Sequence, residues 1–314
     1  MTKVSIIMSV YKEPIEWIKE SVDSILHQSY RNFEFIIIID NPNNQEIIGF
    51  LKETSLLDSR VKIFINSENL GLTKSLNKAI SLSGNTEYIA RMDADDIALK
   101  DRLQKQIDFL DKNKHIGVCG TGIDYFGTKV GTNIYPLSTD DVYLFIENCF
   151  AHSTVVMRRN VLVNGYYNED FIVSQDYELW NRLYAEGVLF HNIPEVLLKY
   201  RVSSQQIMHS KGELQRKMSR INHRNALYFY CCNHDIDFTI PEGSFKISHI
   251  EKLLTLLNIP KEKQNILLYY LLLSVKDNLT NKILYIARNI RLLKYWQIIR
   301  IIYHHIRKTD IAKF

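Results

Sequence analysis

Three carboxylates stand within four positions of one another, at Asp93, Asp95 and Asp96, in the stretch EYIARMDADDIALKDRLQKQ (residues 87–106). The apolar residues before them predict a buried strand, and the residues after them predict a helix. Negative charges this close repel one another unless a cation lies among them. Mg²⁺ and Mn²⁺ prefer a few carboxylate oxygens, with the remaining positions taken by water and substrate phosphates. The cluster therefore predicts a divalent metal ion shared with a diphosphate.

The same cluster has a structural interpretation. Asp favours turns and helix N-termini, and either Asp96 or Asp101 could cap the helix predicted through RLQKQIDFL. An EF-hand loop is excluded, because the later Gly and Glu ligands are missing. The pattern Asp-x-Asp is weak evidence by itself, but its position after a buried strand favours the metal.

The residues before the cluster alternate between strand and helix patterns. Continuous apolar runs predict strands at 4–10, 33–40, 61–66 and 86–93. Helical spacing predicts helices at 15–28, 44–54 and 72–83. This alternation is typical of an α/β fold with a parallel sheet covered by helices on both faces. Ligands of such sheets bind beyond the carboxyl ends of the strands, so Val10–Tyr11, Asp40 and Asp93 are expected to converge.

The composition is that of a soluble globular protein, with 314 residues of which 46% are hydrophobic and 24% charged. The apolar run near the N-terminus is too short for a signal peptide. No segment reaches the roughly 18 apolar residues of a transmembrane helix. The four cysteines have no CxxC spacing and suit a reducing compartment. We therefore expect a cytoplasmic protein.

The C-terminal third has a different character. Helical patterns rich in Leu, Ile, Tyr and Lys predict a helical region over 211–314, beyond a first domain of residues 1–210. From Lys276 onward there are nine Lys and Arg against two Asp, in a chain of net charge +4. These helices could pack on the first domain, or they could lie on an anionic membrane surface. No recognition motif supports nucleic-acid binding, so no nucleic-acid partner is expected.

Six stretches occur in the same order as in the family-2 glycosyltransferases with the GT-A fold, which the chain resembles. They are VSIIMSVYKEP, FEFIIIID, ENLGLTKSLNKAI, EYIARMDADDIALKDRLQKQ, AHSTVVMRR and SQDYELWNRL. The resemblance covers about residues 3–205 and is strongest to bacterial enzymes of O-antigen and capsular polysaccharide synthesis. It implies a Rossmann-like nucleotide-binding half with a mixed sheet. It also implies inverting transfer of a hexose or N-acetylhexosamine from a UDP-sugar to a lipid-linked saccharide. The enzyme would be peripheral at the cytoplasmic face of the inner membrane.

For the nucleotide base, the resemblance implies contacts from the end of the first strand and from the end of the second. Ser9, Val10 and Tyr11 would hold the base, and Asp40 would accept a hydrogen bond from a ring N–H of uracil. The family often has Asp-Asp-Gly-Ser at the second position, and this chain has Asp40-Asn41-Pro42 instead. The first carboxylate is kept, while the rest of the loop differs.

For the diphosphate, the resemblance implies that Asp95 ligates Mn²⁺ or Mg²⁺ and that Asp93 contacts the ribose and the metal region. Lys74 and Arg91 are candidates for phosphate or sugar contacts. His209 is a candidate to complete the metal shell after a loop closes.

On the acceptor side, the incoming hydroxyl must lose its proton, and a carboxylate does this as general base. Asp176 matches the family's Glu-Asp-x-x-x-Trp pattern and is the candidate base, with helix capping as the alternative. Gln175 stands where the family usually has Glu and could bind the acceptor without charge. Trp180 is a candidate stacking face for the acceptor or a core residue. His152 is a candidate near the acceptor or a structural residue.

Two other functions share parts of this pattern. A non-catalytic nucleotide-sugar-binding subunit of a polysaccharide assembly complex could have the same fold, but it would be free to lose Asp95 or Asp176. A sugar-phosphate nucleotidyltransferase would need a Gly-rich basic loop after the first strand, and SVYKEP lacks the glycines.

Overall fold

Strands and helices alternate through the first ninety residues of the chain, as the apolar pattern predicts. The computed structural model describes residues 2–135, 148–203, 212–233 and 235–238, together with residues 248, 252 and 256. The first elements are β1 (Val4–Val10), α1 (Ile15–Leu26), β2 (Phe33–Ile39), α2 (Gln45–Leu57), β3 (Val61–Ile65), α3 (Leu72–Leu82) and β4 (Tyr88–Arg91).

The later elements are shorter strands and helices around one long strand pair. They are β5 (Ile97–Ala98), α4 (Arg102–Lys112), β6 (Ile116–Gly127), β7 (Gly131–Asn133), β8 (Val156–Arg158), α5 (Gln175–Ala185), β9 (Leu189–Val202) and α6 (Gly212–Asn233). Short 3-10 helices occur at His152–Thr154 and Arg159–Leu162. The sequence VLFHNIPEVLLKYRV predicts two strands, and this is wrong. It forms the single strand β9, because its pairing with β6 absorbs Pro194 in a bulge between Ile193 and Val196.

The strands form one mixed sheet in the order β3-β2-β1-β4-β8-β6-β9-β5, with β7 paired to β6. β1 to β4 are parallel to one another, and β8 runs antiparallel to both β4 and β6. The predicted mixed α/β sheet is therefore confirmed. The parallel half brings the carboxyl ends of β1, β2 and β4 to one edge.

The core lies around the parallel strands. Every residue of β2 is buried, as are all but one of β1. Since alternate residues of a strand point to opposite faces, burial along the whole strand means that both faces are covered. α3 packs on β1 and β2. This rigid half fixes the strand ends that carry Asp40 and Asp93.

The chain divides into two units, Met1–Thr139 with Asn148–Asn222, and Asp140–Glu147 with His223–Phe314. The predicted boundary between residues 210 and 211 stays a prediction. The basic segment from Lys276 lies outside the described residues, so its packing or membrane contact also stays a prediction. In the part of the chain that the structure describes, no helix is long and apolar enough to cross a membrane.

Candidate active site

Asp40, at the carboxyl end of β2, organises the loop between β3 and α3. Its Oδ1 accepts from Asn66 Nδ2 at 2.7 Å and from the Leu70 N–H at 2.8 Å, and its Oδ2 accepts from the Gly71 N–H at 2.9 Å. Gly71 has φ 85° and ψ 164°, a conformation that only glycine adopts without strain. The buried Asp40 carboxylate thus holds the turn into α3. Its contact with uracil stays a prediction.

The end of β1 offers fewer contacts than the sequence predicts. Val10 is fully buried in the core, and its carbonyl accepts the Asp40 N–H at 2.7 Å. The Val10 side chain packs in the core, and the predicted contact of this strand end with the base stays a prediction. Ser9 is half-buried and Tyr11 exposed, so both stay candidates. Sequence reasoning missed Glu13, whose Oε2 accepts the Tyr11 N–H at 2.8 Å. Burial, and to a lesser extent Asp93, raises the pKa of Glu13.

Arg91, the last residue of β4, orients Asp93. Its side chain is fully buried, and its guanidinium donates to the Met92 carbonyl and to Asp93 Oδ1. A direct contact of Arg91 with a phosphate or sugar is therefore wrong for this arrangement, because the guanidinium does not reach the surface. Ser21 Oγ on α1 donates to the main-chain carbonyl of Asp93 at 2.7 Å. Held from both sides, Asp93 keeps 29% of its side chain exposed.

Asp96 differs from its two neighbours because it is buried. Its Oδ2 accepts from Ser153 Oγ, and its Oδ1 accepts from the Arg201 N–H at 2.8 Å. Burial first, and then the charges of Asp95 and Asp93, raise the pKa of Asp96 well above its ordinary range. The predicted capping of α4 is wrong for both candidates. Asp101 occupies the N-cap position without a side-chain hydrogen bond, and Asp96 is bonded elsewhere.

Asp95 is half-buried, like Asp93, and it fits a divalent ion that arrives with its substrate. No three His, Cys, Asp or Glu side chains among the described residues are placed to hold a metal alone. One or two carboxylates with substrate phosphates and water is the usual donor set for Mg²⁺. The repulsion that raises the Asp96 pKa is what a cation at this turn would relieve. His209 lies outside the described residues, so its place in the metal shell stays a prediction.

Asp176 is the second residue of α5, and it lies near the acidic turn. Its Oδ2 accepts from Asn148 Nδ2 at 2.6 Å. Burial raises the pKa of Asp176, the Tyr177 N–H and Asn148 lower it, and the charge of Asp93 raises it further. Ser153 Oγ donates to Asp96 Oδ2, and the ring of the neighbouring His152 meets Trp180 on α5 at 6.2 Å, so α5 lies beside the acidic turn. Gln175, the first residue of α5, is buried, and its acceptor contact stays a prediction.

His152 and Trp180 contact each other, and Trp180 lies on the same helix as Asp176, four positions later. His152 Nε2 is 2.7 Å from Tyr167 Oη, and the His152 ring meets the Trp180 ring edge to face at 6.2 Å. Burial, and then Arg91, lowers the pKa of His152 well below its ordinary range, so the imidazole is neutral at neutral pH. Its acceptor contact stays a prediction. Trp180 is fully buried and packs edge to face on Phe150 at 5.2 Å. Stacking of Trp180 on an acceptor sugar is therefore wrong, because the indole has no exposed face.

α3 links the donor side of the site to the segment before Asp176. Asn77 Nδ2 donates to the Tyr167 carbonyl and Asn77 Oδ1 accepts the Tyr167 N–H, both at 2.9 Å. Thr73 Oγ1 donates to the Phe171 carbonyl at 2.9 Å. Lys74 is exposed on the first turn of the same helix, and its phosphate contact stays a prediction. Sequence reasoning missed Asn77, whose only signal is an amide within a predicted helix.

A surface cleft of about 680 Å³ lies away from this site, between Asn85–Glu87 and Arg158–Tyr166. It opens at the start of β4, whereas Asp93 follows the end of that strand. Arg159 in the cleft donates to Thr86 and Ser83. We place the active site at the carboxylate edge, because the titratable residues that line the cleft are Glu87, Arg158, Arg159 and Tyr166, with a single carboxylate among them.

Comparison with known proteins defines the class of enzyme to which this fold and these carboxylates belong. The family model of glycosyl transferase family 2 matches residues 5–162, and the chain belongs to this family. A glycosyltransferase of Haemophilus influenzae, itself uncharacterized, is 30% identical and covers 98% of both chains. The O-antigen biosynthesis glycosyltransferase WbnJ of Escherichia coli is 32% identical over 73% of this chain and 95% of its own.

The fold is also that of a solved glycosyltransferase structure. The crystal structure of Staphylococcus aureus TarS 1–349 in complex with UDP-GlcNAc aligns with a TM-score of 0.59. It covers 87% of this chain and 81% of TarS 1–349, at 14% sequence identity. The predicted GT-A-like fold and the predicted glycosyltransferase class are confirmed.

Proposed function

We propose that this glycosyltransferase moves a hexose or N-acetylhexosamine from a UDP-sugar to a lipid-linked saccharide, with inversion at the anomeric carbon. The acceptor would be an intermediate of a surface polysaccharide such as O-antigen or capsule. The enzyme would work at the cytoplasmic face of the inner membrane. Asp95 would hold Mn²⁺ or Mg²⁺ together with the donor diphosphate.

One observation carries the proposal: the 3-10 helix His152–Thr154 contacts both the acidic turn and α5, the helix that begins at Gln175 and Asp176. Ser153 Oγ donates to Asp96 Oδ2, and the His152 ring meets the Trp180 ring at 6.2 Å. A carboxylate cluster suited to a diphosphate–metal group thus lies near a carboxylate suited to accept a proton. Inverting transfer needs both parts, on opposite sides of the sugar. Burial raises the pKa of Asp176, which makes it a stronger base than an exposed Asp.

The transfer step follows from this arrangement. An acceptor hydroxyl oxygen attacks the anomeric carbon while its proton passes to a carboxylate oxygen of Asp176. The bond from the anomeric carbon to the diphosphate oxygen breaks, and its electron pair leaves with UDP. When bound, the divalent ion neutralises charge that develops on the leaving diphosphate. Arg91 and Ser21 hold Asp93 in place during the step.

The donor and the acceptor are supported by the relatives. TarS forms the complex with UDP-GlcNAc that its structure describes, which supports a UDP-sugar donor. WbnJ is named for O-antigen biosynthesis, which supports a saccharide acceptor built on a membrane lipid. The nine cationic residues from Lys276 onward would suit an anionic membrane surface.

The test is UDP release with Mn²⁺ present, screening UDP, GDP and dTDP sugars against diphospholipid-linked GlcNAc or GalNAc. We expect release with one UDP-hexose or UDP-N-acetylhexosamine. Asp95→Asn and Asp176→Asn should each abolish transfer, and only Asp95→Asn should weaken Mn²⁺-dependent UDP binding. Asp108→Asn, at an exposed carboxylate on α4, is the matched control.

Two results would contradict the proposal. Equal activity across UDP, GDP and dTDP sugars would reject the donor assignment. Transfer by Asp176→Asn within about fivefold of the wild type would reject the base, since general-base catalysis contributes about 10²–10⁴-fold. Tight UDP–Mn²⁺ binding without transfer or hydrolysis of any UDP-sugar would favour a non-catalytic subunit.

A further inference from the structure

The carboxylate of Asp176 is held by a neutral side chain, the amide of Asn148. Asn148 Nδ2 donates to Asp176 Oδ2 at 2.6 Å, across 28 positions of sequence. Among the described residues, no Lys or Arg forms an ion pair with Asp176. Nothing in the apolar pattern or in the motif around Asp176 points to Asn148.

The fold fixes Asn148 through the residues that follow it. Asn148 Oδ1 accepts the Phe150 N–H at 3.3 Å. The Cys149 carbonyl accepts from Asn192 Nδ2 on β9 at 3.0 Å. Phe150 packs edge to face on Trp180 at 5.2 Å. Because Trp180 belongs to the same helix as Asp176, the amide and its carboxylate are attached to one packed unit.

Gly120 on β6 allows this packing. A Cβ placed on Gly120 would lie 2.2 Å from Asn192 Oδ1 and 2.4 Å from Phe150 Cδ1. Both distances are far inside van der Waals contact, so no larger residue fits without moving Asn192 and Phe150. Those are the two residues that hold the Asn148 segment. The absence of a side chain at Gly120 therefore helps to fix the position of the Asn148 amide relative to the Asp176 carboxylate.

The charge of the side chain that bonds to Asp176 matters, because other charged groups already affect this region. The charge of Asp93, after the end of β4, raises the pKa of Asp176. The charge of Asp176 in turn raises the pKa values of Tyr167 and Cys149. Arg91 acts on Tyr167 and on His152 and is paired with Asp93. A Lys or Arg bonded to Asp176 would lower its pKa and weaken it as a base. An amide donates a hydrogen bond and adds no net charge.

We propose that Asn148 is a positioning residue for the transfer reaction, which holds Oδ2 of Asp176 so that Oδ1 receives the proton of the acceptor hydroxyl. This inference rests on the proposed role of Asp176 as general base. Asn148 itself touches neither the donor nor the acceptor. Its amide directs the carboxylate and lowers its pKa through one hydrogen bond, without the further lowering that a bonded Lys or Arg charge would cause.

The test is the dependence of kcat on pH for Asn148→Ala and Asn148→Asp, with the donor screen above supplying the substrate. For Asn148→Ala we expect kcat to fall about 10- to 100-fold, the size of effect that misplacing a catalytic group produces. The acidic limb of the profile should move to higher pH, because a hydrogen bond to the ionised carboxylate is lost. Asn148→Asp keeps the shape of the side chain but adds a like charge. Its limb should move further in the same direction.

The controls separate positioning from folding. Asn160→Ala, at an exposed asparagine of the same half, should match the wild type. The affinity for UDP with Mn²⁺ should change little in both Asn148 variants, since Asn148 does not touch the donor. Gly120→Ala should reproduce the lower kcat of Asn148→Ala without changing UDP affinity.

Separate outcomes reject the inference and the proposed function. Asn148→Ala could keep kcat within about twofold of the wild type, with an unchanged acidic limb, while Asp176→Asn is inactive. That result would reject the positioning role of Asn148 and keep Asp176 as the general base. A parallel fall of kcat, UDP affinity and melting temperature in both Asn148 variants would also reject it, as a general structural effect. An active Asp176→Asn would instead overturn the proposed function itself.

Discussion

Arg201 donates from its Nε to the main-chain carbonyl of Asp95 at 2.8 Å, and its own N–H donates to Asp96 at the same distance. The end of β9 is thereby bonded to the acidic turn, which lies 106 positions earlier in the sequence. The Arg201 guanidinium lies 4.7 Å from the Trp17 ring centre and pairs with Glu20 on α1. Arg201 thus fixes the main chain of Asp95 without using the Asp95 carboxylate for that bond.

Arg201→Ala is expected to weaken the Mn²⁺-dependent part of UDP binding by about tenfold, as loss of a residue that supports a metal ligand does. UDP binding without metal should change little, because the hydrogen bond from Arg201 to Asp95 does not involve the residues that would hold the uracil base. Calorimetric titration of UDP with and without Mn²⁺ measures both. Lys199→Ala, at an exposed cation on the same strand, is the control. Equal losses with and without metal would contradict this expectation.

The pH dependence of transfer should follow Asp176. Its pKa is raised by burial and by Asp93, and the base acts only when deprotonated, so kcat should fall on acidification through that pKa. The acidic limb should therefore lie above about 3.9, the ordinary value for Asp. His152→Gln should keep the same limb, because the pKa of His152 is shifted down by burial. A limb that moves in His152→Gln would assign the titration to the imidazole. Circular dichroism at the lowest pH used checks that the protein stays folded.

Asp40→Ala should open the loop between β3 and α3. Removing the carboxylate leaves three donors without their acceptor, which costs about 2–4 kcal/mol of unfolding free energy. UDP affinity should fall with it, because the same loop begins α3. Urea denaturation and UDP titration measure the two effects, with Asp23→Ala on the exposed face of α1 as control. Unchanged urea midpoints for Asp40→Ala would show that the loop does not depend on this carboxylate.

Trp180 should matter for stability and not for acceptor binding. Trp180→Ala should cost about 3–5 kcal/mol, as for other large buried aromatic residues. Trp180→Phe should cost less than half as much, because the buried Nε1 has no hydrogen-bond partner among the described residues. The acceptor KM of Trp180→Phe should equal that of the wild type. A raised acceptor KM at unchanged stability would restore the stacking role that the fold rejects.

The strand ends were predictable because a parallel sheet has a simple signature. β1, β2 and β4 are mostly apolar and buried; Tyr11 follows β1, Asp40 follows β2, and Asp93 comes two positions after β4. The resemblance then singled out Asp95 and Asp176 from other carboxylates. None of this required knowledge of which side chains touch.

The roles of Arg91, Trp180 and Asn148 were not predictable in the same way. An Arg before an acidic turn can point to a ligand or pair with a neighbouring Asp, and burial decides between them. A Trp on a helix can stack on a sugar or fill the core. Asn148 and Arg201 meet their partners across 28 and 106 positions, and no local pattern contains that pairing.

The two hydrogen bonds between the Asn77 amide and the main chain of Tyr167 have a consequence for making chimeras of this enzyme and its relatives. A chimera could take α3 from one protein and the segment before α5 from another. The side chain at position 77 would then no longer be matched to the N–H and carbonyl of residue 167. Specificity for donor and acceptor would then not exchange independently. Blocks that carry residues 70–82 and 165–176 together should give folded hybrids, and blocks that separate them should give inactive ones.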